Sequence, residues 1–215
     1  MRSAHTQTTA RTVGDVLYNF HWVIPGEAAR AMQAWAGGLS GFLKRRQIRA
    51  IINLRGRNDD LSWWKKETAI AQAGGVAHLD AMLDSRRLPT RAMLERLIES
   101  FDTAPRPFLL KCSGGQDRTS LAAALYLIHR DGWQAMPMAK AQFSRFPYLH
   151  FPKTHQRWLK PFVEFAQESA GGQKLAAWIK HDYTPEKLKA WLDSRGLHDS
   201  YAAIFTTPTR SPFQW

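Results

Sequence analysis

Apolar positions recur along this chain with two periods, and the switch between them predicts a series of strands and helices. Val16–Ile24 (Val-Leu-Tyr-Asn-Phe-His-Trp-Val-Ile) is aromatic and β-prone and runs into the turn pair Pro25-Gly26, which predicts one or two strands. Leu39–Gln47, after Gly37-Gly38, reads as a short helix, and the apolar run Ile48–Leu54 reads as a buried strand. Trp63, Trp64, Glu67, Ile70 and Ala71 fall at helical spacing within Ser62–Ala73, which Gly74-Gly75 stops. Val76–Leu83 alternates as a third strand and leads into Asp84-Ser85-Arg86-Arg87-Leu88-Pro89. Met93, Leu94, Leu97, Ile98 and Phe101 line one face of a helix that starts near Thr90 and runs to about Thr103, with Pro105 and Pro107 ending it. Pro107–Lys111 is the central strand, and a helix of about Thr119–Arg130 follows, broken at Gly132.

The remaining pattern is helical. Gln134–Arg145 (Pro137 in its first turn), Thr154–Ser169, Gln173–His181 and Thr184–Arg195 read as helices, separated after the first by the aromatic connector Phe146–Pro152. Strand–helix alternation from about 16 to 131 predicts an α/β fold, a mostly parallel central sheet flanked by helices, with extra C-terminal helices. The expected organisation is a flexible N-terminus over 1–12, one domain over 13–165, and a helical extension and irregular tail over 166–215 packed on that domain.

Composition narrows the class. In 215 residues, 44% hydrophobic content and nine tryptophans argue for a folded globule. The N-terminus lacks an apolar signal core and no stretch approaches ~20 apolar residues, so the expectation is a cytoplasmic protein. A formal net charge of +12 favours anionic partners: a phosphorylated substrate or peripheral contact with an anionic membrane. Nucleic acid is not predicted, because no fingerprint motif accompanies the charge. The pattern sets no oligomeric state. The one cysteine excludes an intramolecular disulfide.

That cysteine lies in the most informative stretch. An apolar strand-like run, Phe108–Lys111, enters Cys112-Ser113-Gly114-Gly115-Gln116-Asp117-Arg118-Thr119, and the helix former Leu121–Ile128 leaves it. At such a junction, backbone N–H groups converge on a helix N-terminus and can hold an anion. Gly114 and Gly115 allow unusual backbone angles, Arg118 can fork onto two phosphate oxygens, and the positive surroundings favour a Cys112 thiolate.

The stretch resembles the signature loop of the cysteine-dependent protein tyrosine and dual-specificity phosphatases, His-Cys-x-x-Gly-x-x-Arg-Ser/Thr. Cys112, Gly115, Arg118 and Thr119 stand on its fixed positions, and Lys111 replaces the usual histidine. Asp117, directly before the arginine, is similar to myotubularin-like and some bacterial members. Two looser likenesses to bacterial phosphatases accompany it: Pro25-Gly26 followed by Arg30 and Gln33, and the strand end Ile52-Asn53-Leu54-Arg55. The resemblance spans about the first 130 to 165 residues.

It implies a phosphomonoester hydrolase in which Cys112 attacks phosphorus to give a cysteinyl-phosphate. Ser113, Gly114, Gly115, Gln116 and Arg118 would hold the phosphate, and Thr119 would hydrogen-bond the sulfur. Arg55 or Arg57 would sit near substrate, at the carboxyl end of a strand. For the general acid both Asp117 and Asp84 stand as candidates, with Asp80 behind them inside a strand; Asp117 leads because its place in the motif is fixed. No cofactor and no metal is implied, and His150 and His155 lack matching ligands. A protein-tyrosine or dual-specificity phosphatase is the first expectation. A phosphorylated lipid or inositide is the alternative substrate, which Asp117, the basic balance and an exposed Trp63-Trp64 pair would support. A non-catalytic phosphate-binding module, a sulfurtransferase and a redox-sensing cysteine complete the options.

Overall fold

A computed structural model describes residues 12–34 and 36–206 of the protein. The readings of a flexible N-terminus and an irregular tail fall outside these residues, except at Thr12 and Thr206. Of the stretch Val16–Ile24, expected as one or two strands, only His21–Ile24 is a strand; Val16 and Leu17 end a short helix, α1 (Val13–Leu17). Its cause is a capping box that overrides β-propensity: the Thr12 hydroxyl accepts from the Asp15 amide, and the Asp15 carboxylate accepts from the Thr12 amide at 2.6 Å. Arg46 then pairs with the buried Asp15.

A five-stranded sheet follows, built from β1 (His21–Ile24), β2 (Ala28–Met32), β3 (Ala50–Asn53), β4 (Ala77–Asp80) and β6 (Phe108–Cys112) in the order β1-β2-β6-β3-β4. Only β1–β2 is antiparallel, as the Pro25-Gly26 turn requires; the other pairs are parallel. β2 lies in a segment whose alanines gave no strand signal. Two short strands, β5 (Arg87–Leu88) and β7 (Ala203–Ile204), pair separately.

The sheet is covered on both faces. One carries α2 (Ala36–Arg45) and α3 (Ser62–Ala73) over Ala29, Ala31, Ile51 and Leu109. The other carries α4 (Arg91–Thr103) and α5 (Asp117–Asp131) over Ala50, Ile52, Phe108 and Leu110. The expected Thr90 cap is present. The expected Gln134–Arg145 helix is shorter, a 3₁₀ turn followed by α6 (Met136–Ala141). The last helices, α7 (Leu159–Ala170), α8 (Leu175–His181) and α9 (Pro185–Ser194), share the second core, where Trp158, Phe162, Trp178 and Tyr183 are all buried. Among the described residues no helix is long and apolar enough to cross a membrane.

Candidate active site

β6 is the middle strand, so its carboxyl end opens at the centre of the sheet's upper edge. Alternation along it sends Leu110 and Cys112 to the α4–α5 face and Lys111 to the α3 face. Residues 113–116 turn back to start α5 at Asp117. Gly115 has φ +63°, and a Cβ there would lie 2.4 Å from the Met32 amide nitrogen and 2.6 Å from the Ala31 carbonyl carbon. Only glycine lets the loop rest on the backbone of β2. Gly114 carries no such demand: the nearest atom to its would-be Cβ is 3.7 Å away, on the Gln116 side chain.

Cys112 is 3% exposed. The Thr119 hydroxyl donates to its Sγ at 3.1 Å, as the motif implied, and the Gly115 amide donates as well. Burial pushes the thiol pKa up and the Asp117 charge adds to that. The Arg118 guanidinium and these two donors outweigh both, so the pKa lies below the ordinary thiol value. Arg118 is held by Nη2 donating to Ser113 Oγ at 2.9 Å. The amides of Ser113, Gly114 and Gln116 have no acceptor among the described residues, and those opening α5 are free by helix geometry. The loop after Cys112 thus keeps amide donors unpaired beside the Arg118 guanidinium.

Beneath the loop lies Arg30, fully buried on β2. Its Nη2 donates to the Gly115 carbonyl at 3.1 Å and Ser120 Oγ at 2.8 Å, and its Nη1 to the Gln142 carbonyl and Oε1, each at 3.0 Å. Tyr148 covers its other face, with the guanidinium 4.2 Å from the ring centroid. Burial lowers its pKa to about 10, still a cation at neutral pH. No carboxylate bonds it among the described residues, so its charge is directed at loop carbonyls. Arg30→Met is expected to lower unfolding free energy by about 3 kcal/mol, since several buried acceptors lose their donor together. Urea denaturation with an unchanged midpoint would contradict this.

The acid candidates separate clearly. Asp117 sits at the first turn of α5, its Oδ1 3.3 Å from Nδ1 of His150, which is 5% exposed; neither atom has an aligned hydrogen bond. Asn19 fixes the same corner by donating to the Gly115 and Tyr148 carbonyls at 3.2 and 3.1 Å. Asp84 spends Oδ1 on the amides of Arg86 and Arg87, at 2.7 and 3.1 Å, the role of a turn residue. Asp80 accepts from Asn53 Nδ2 at 2.7 Å and from Trp64 Nε1. In the sequence His150 carries no signal beyond that of a metal ligand without partners. Its place beside Asp117 depends on how the connector 146–152 folds back, which no local pattern encodes.

Arg55 does reach the site. Asn53, bonded to the Gly56 carbonyl and the Arg55 amide, shapes the loop after β3. Arg55 donates to Gln33 Oε1 at 2.5 Å and stacks on Trp63 at 3.6 Å. Burial and then the charge of Arg118 lower its pKa to about 10, so two guanidinium groups stand together at the loop. Arg57, exposed, pairs with Asp59 instead.

Lys111, at the histidine position, points away from the sulfur. Its Nζ lies 2.6 Å from Glu67 Oε1, both groups buried, and Glu67 also meets His78 Nε2 at 2.8 Å and Gln33 Nε2 at 3.1 Å. Burial brings the Lys111 pKa down to about 8 against the pull of Glu67. Trp63 and Trp64 belong to this packing, Trp63 under Arg55 and Lys111, Trp64 bonded to Asp80. They are not the exposed pair that the sequence suggested.

No protein-family model and no curated protein matches the chain. Solved structures do. PTPMT1 aligns with a TM-score of 0.53 at 15% identity, over 71% of this chain and 98% of that one. The core catalytic domain of the PP-IP phosphatase SIW14 from S. cerevisiae, in complex with citrate, aligns at 0.50 and 16% identity, over 83% and 93%. P. aeruginosa TpbA, as a variant in complex with pTyr, aligns at 0.50 and 18% identity, over 88% and 99%. The likeness is one of architecture, and it gives this chain the α/β fold of the cysteine-dependent protein tyrosine and dual-specificity phosphatases.

Proposed function

We propose that the protein is a cysteine-dependent phosphomonoester hydrolase. The observation that carries this reading is Cys112: a buried thiol with lowered pKa, bonded by Thr119 at 3.1 Å, at the floor of a loop closed by Arg118. The thiolate attacks phosphorus in line and forms a cysteinyl-phosphate as the bond to the leaving oxygen breaks. Loop amides and Arg118 stabilise charge on the equatorial oxygens. Asp117, protonated, gives its proton to the leaving oxygen. As carboxylate it then takes a proton from the water that attacks phosphorus, releasing phosphate and restoring the thiolate. The Thr119 hydroxyl stabilises the departing sulfur.

Protein phosphotyrosine is the substrate this reading favours, supported by the fold shared with TpbA, crystallised with pTyr. The lipid or inositide alternative loses one support, because Trp63 and Trp64 are half-buried and engaged by Arg55, Lys111 and Asp80.

The test is hydrolysis of p-nitrophenyl phosphate with chelator present. The expected kcat/KM rises with pH as Cys112 ionises, a limb set below the ordinary thiol range. Asp117→Asn should lower kcat about 100-fold, the scale of lost acid–base assistance. Asp84→Asn should leave kcat within a few-fold. A loss of that size in the Asp84 variant alone would move the acid to that loop. Absence of metal-independent turnover in the wild type would reject the enzyme.

A further inference from the structure

Beside His150 the surface opens into a cleft of about 500 Å³. That size falls within the range of small-ligand sites, roughly 300–1,000 Å³. Arg145, Arg157 and Lys160 line it, together with His150, Phe143 and Phe151. The three cations are exposed, and among the described residues none has a carboxylate partner. Nearby Lys140, by contrast, pairs with Glu164 at 2.9 Å. Three like charges facing one concavity repel one another, and an anion between them relieves that repulsion. One wall is apolar: Phe143 is buried against the His150 ring, with centroids 5.3 Å apart, while Phe151 stays 53% exposed and stacks edge-on with the exposed Phe146.

We propose that this cleft is a second anion-binding site, which takes a phosphate group carried on an apolar body. The two guanidinium groups match phosphate oxygens in forked geometry, Lys160 adds a point charge, and Phe151 offers the apolar body a surface that water now covers. No residue of the Cys112 loop lines the cleft, and binding there does not depend on turnover. Its ligand would be either free phosphate or a phosphorylated amphiphile, and the apolar wall selects the second.

The test uses the full chain carrying Cys112→Ser and Arg118→Met, which weakens the loop as an anion site. Hexyl phosphate and inorganic phosphate are titrated by calorimetry at low salt. One equivalent of hexyl phosphate should bind, more tightly than inorganic phosphate. Adding Arg157→Ala and Lys160→Ala should weaken that binding about tenfold or more, the order of losing one charge-assisted hydrogen bond. Both side chains are exposed, so the fold should tolerate the change, and circular dichroism confirms it. No binding of either probe, or binding indifferent to the two substitutions, would overturn the site. Equal affinity for the two probes would overturn its apolar part. An inactive wild type would reject the hydrolase and leave this readout intact.

Discussion

Cys112→Ser should remove turnover of p-nitrophenyl phosphate, by at least about 10⁴-fold in kcat, the scale on which loss of a nucleophile is felt. Serine keeps the shape of the side chain and accepts the Thr119 hydrogen bond, but its hydroxyl does not ionise near neutral pH. The donors above it remain: the free loop amides and Arg118 on Ser113. Binding of inorganic phosphate should therefore persist within a few-fold, as read by calorimetry. Loss of turnover with retained binding assigns the chemistry to the sulfur. Residual turnover near the wild-type rate would refute the cysteinyl-phosphate route, and loss of both would show that the substitution collapsed the loop.

Arg118 should come second in effect. Arg118→Met is expected to lower kcat/KM about 10³-fold, because a charge-stabilising group aimed at the transferring phosphoryl is worth that order. The same change should move the acid limb of the profile. The guanidinium is the largest of the influences that lower the Cys112 pKa, so its removal raises that pKa and shifts the limb to higher pH. Arg118→Lys separates the two roles. A point charge keeps the thiolate and the limb, but loses the fork and most of the rate. The pH dependence of iodoacetamide alkylation reads the thiol directly and should order the variants Arg118→Met above Arg118→Lys and wild type. Coincident alkylation profiles would show that Arg118 does not set the thiol.

The sequence made some of this legible and hid the rest for physical reasons. The strand–loop–helix junction at Cys112 could be read because its signals are local: an apolar strand, a glycine with positive φ, and an arginine and threonine at the start of the next helix. Ser62–Ala73 was read to the residue because a helical stripe and a Gly-Gly stop agree. β2 was hidden, since alanines flanking Arg30 carry little strand signal; the clue was an arginine amid small apolar residues, a place where burial demands a purpose. His150 gave no clue at all. It meets Asp117 across 33 positions of chain, and that contact exists only once the connector has folded. Glu67 and Trp63 fit a helical stripe by their spacing, yet their partners lie on β4, β6 and the loops after β2 and β3.

The orientation of Lys111 constrains how this chain could change over generations. The buried pair Lys111 and Glu67 forms one polar set with the half-buried His78 and Gln33, and Cys112 lies on the opposite face of the same strand. Exchanging Lys111 alone for the histidine usual in the signature would strand the Glu67 carboxylate with its cation gone, at a cost of about 3–5 kcal/mol for a broken buried pair. Exchanging Glu67 alone would strand the lysine. A path to the commoner motif therefore crosses a poorly folding intermediate unless both positions change together, and the lysine is held in place by its neighbours on α3 as firmly as by anything the sulfur requires.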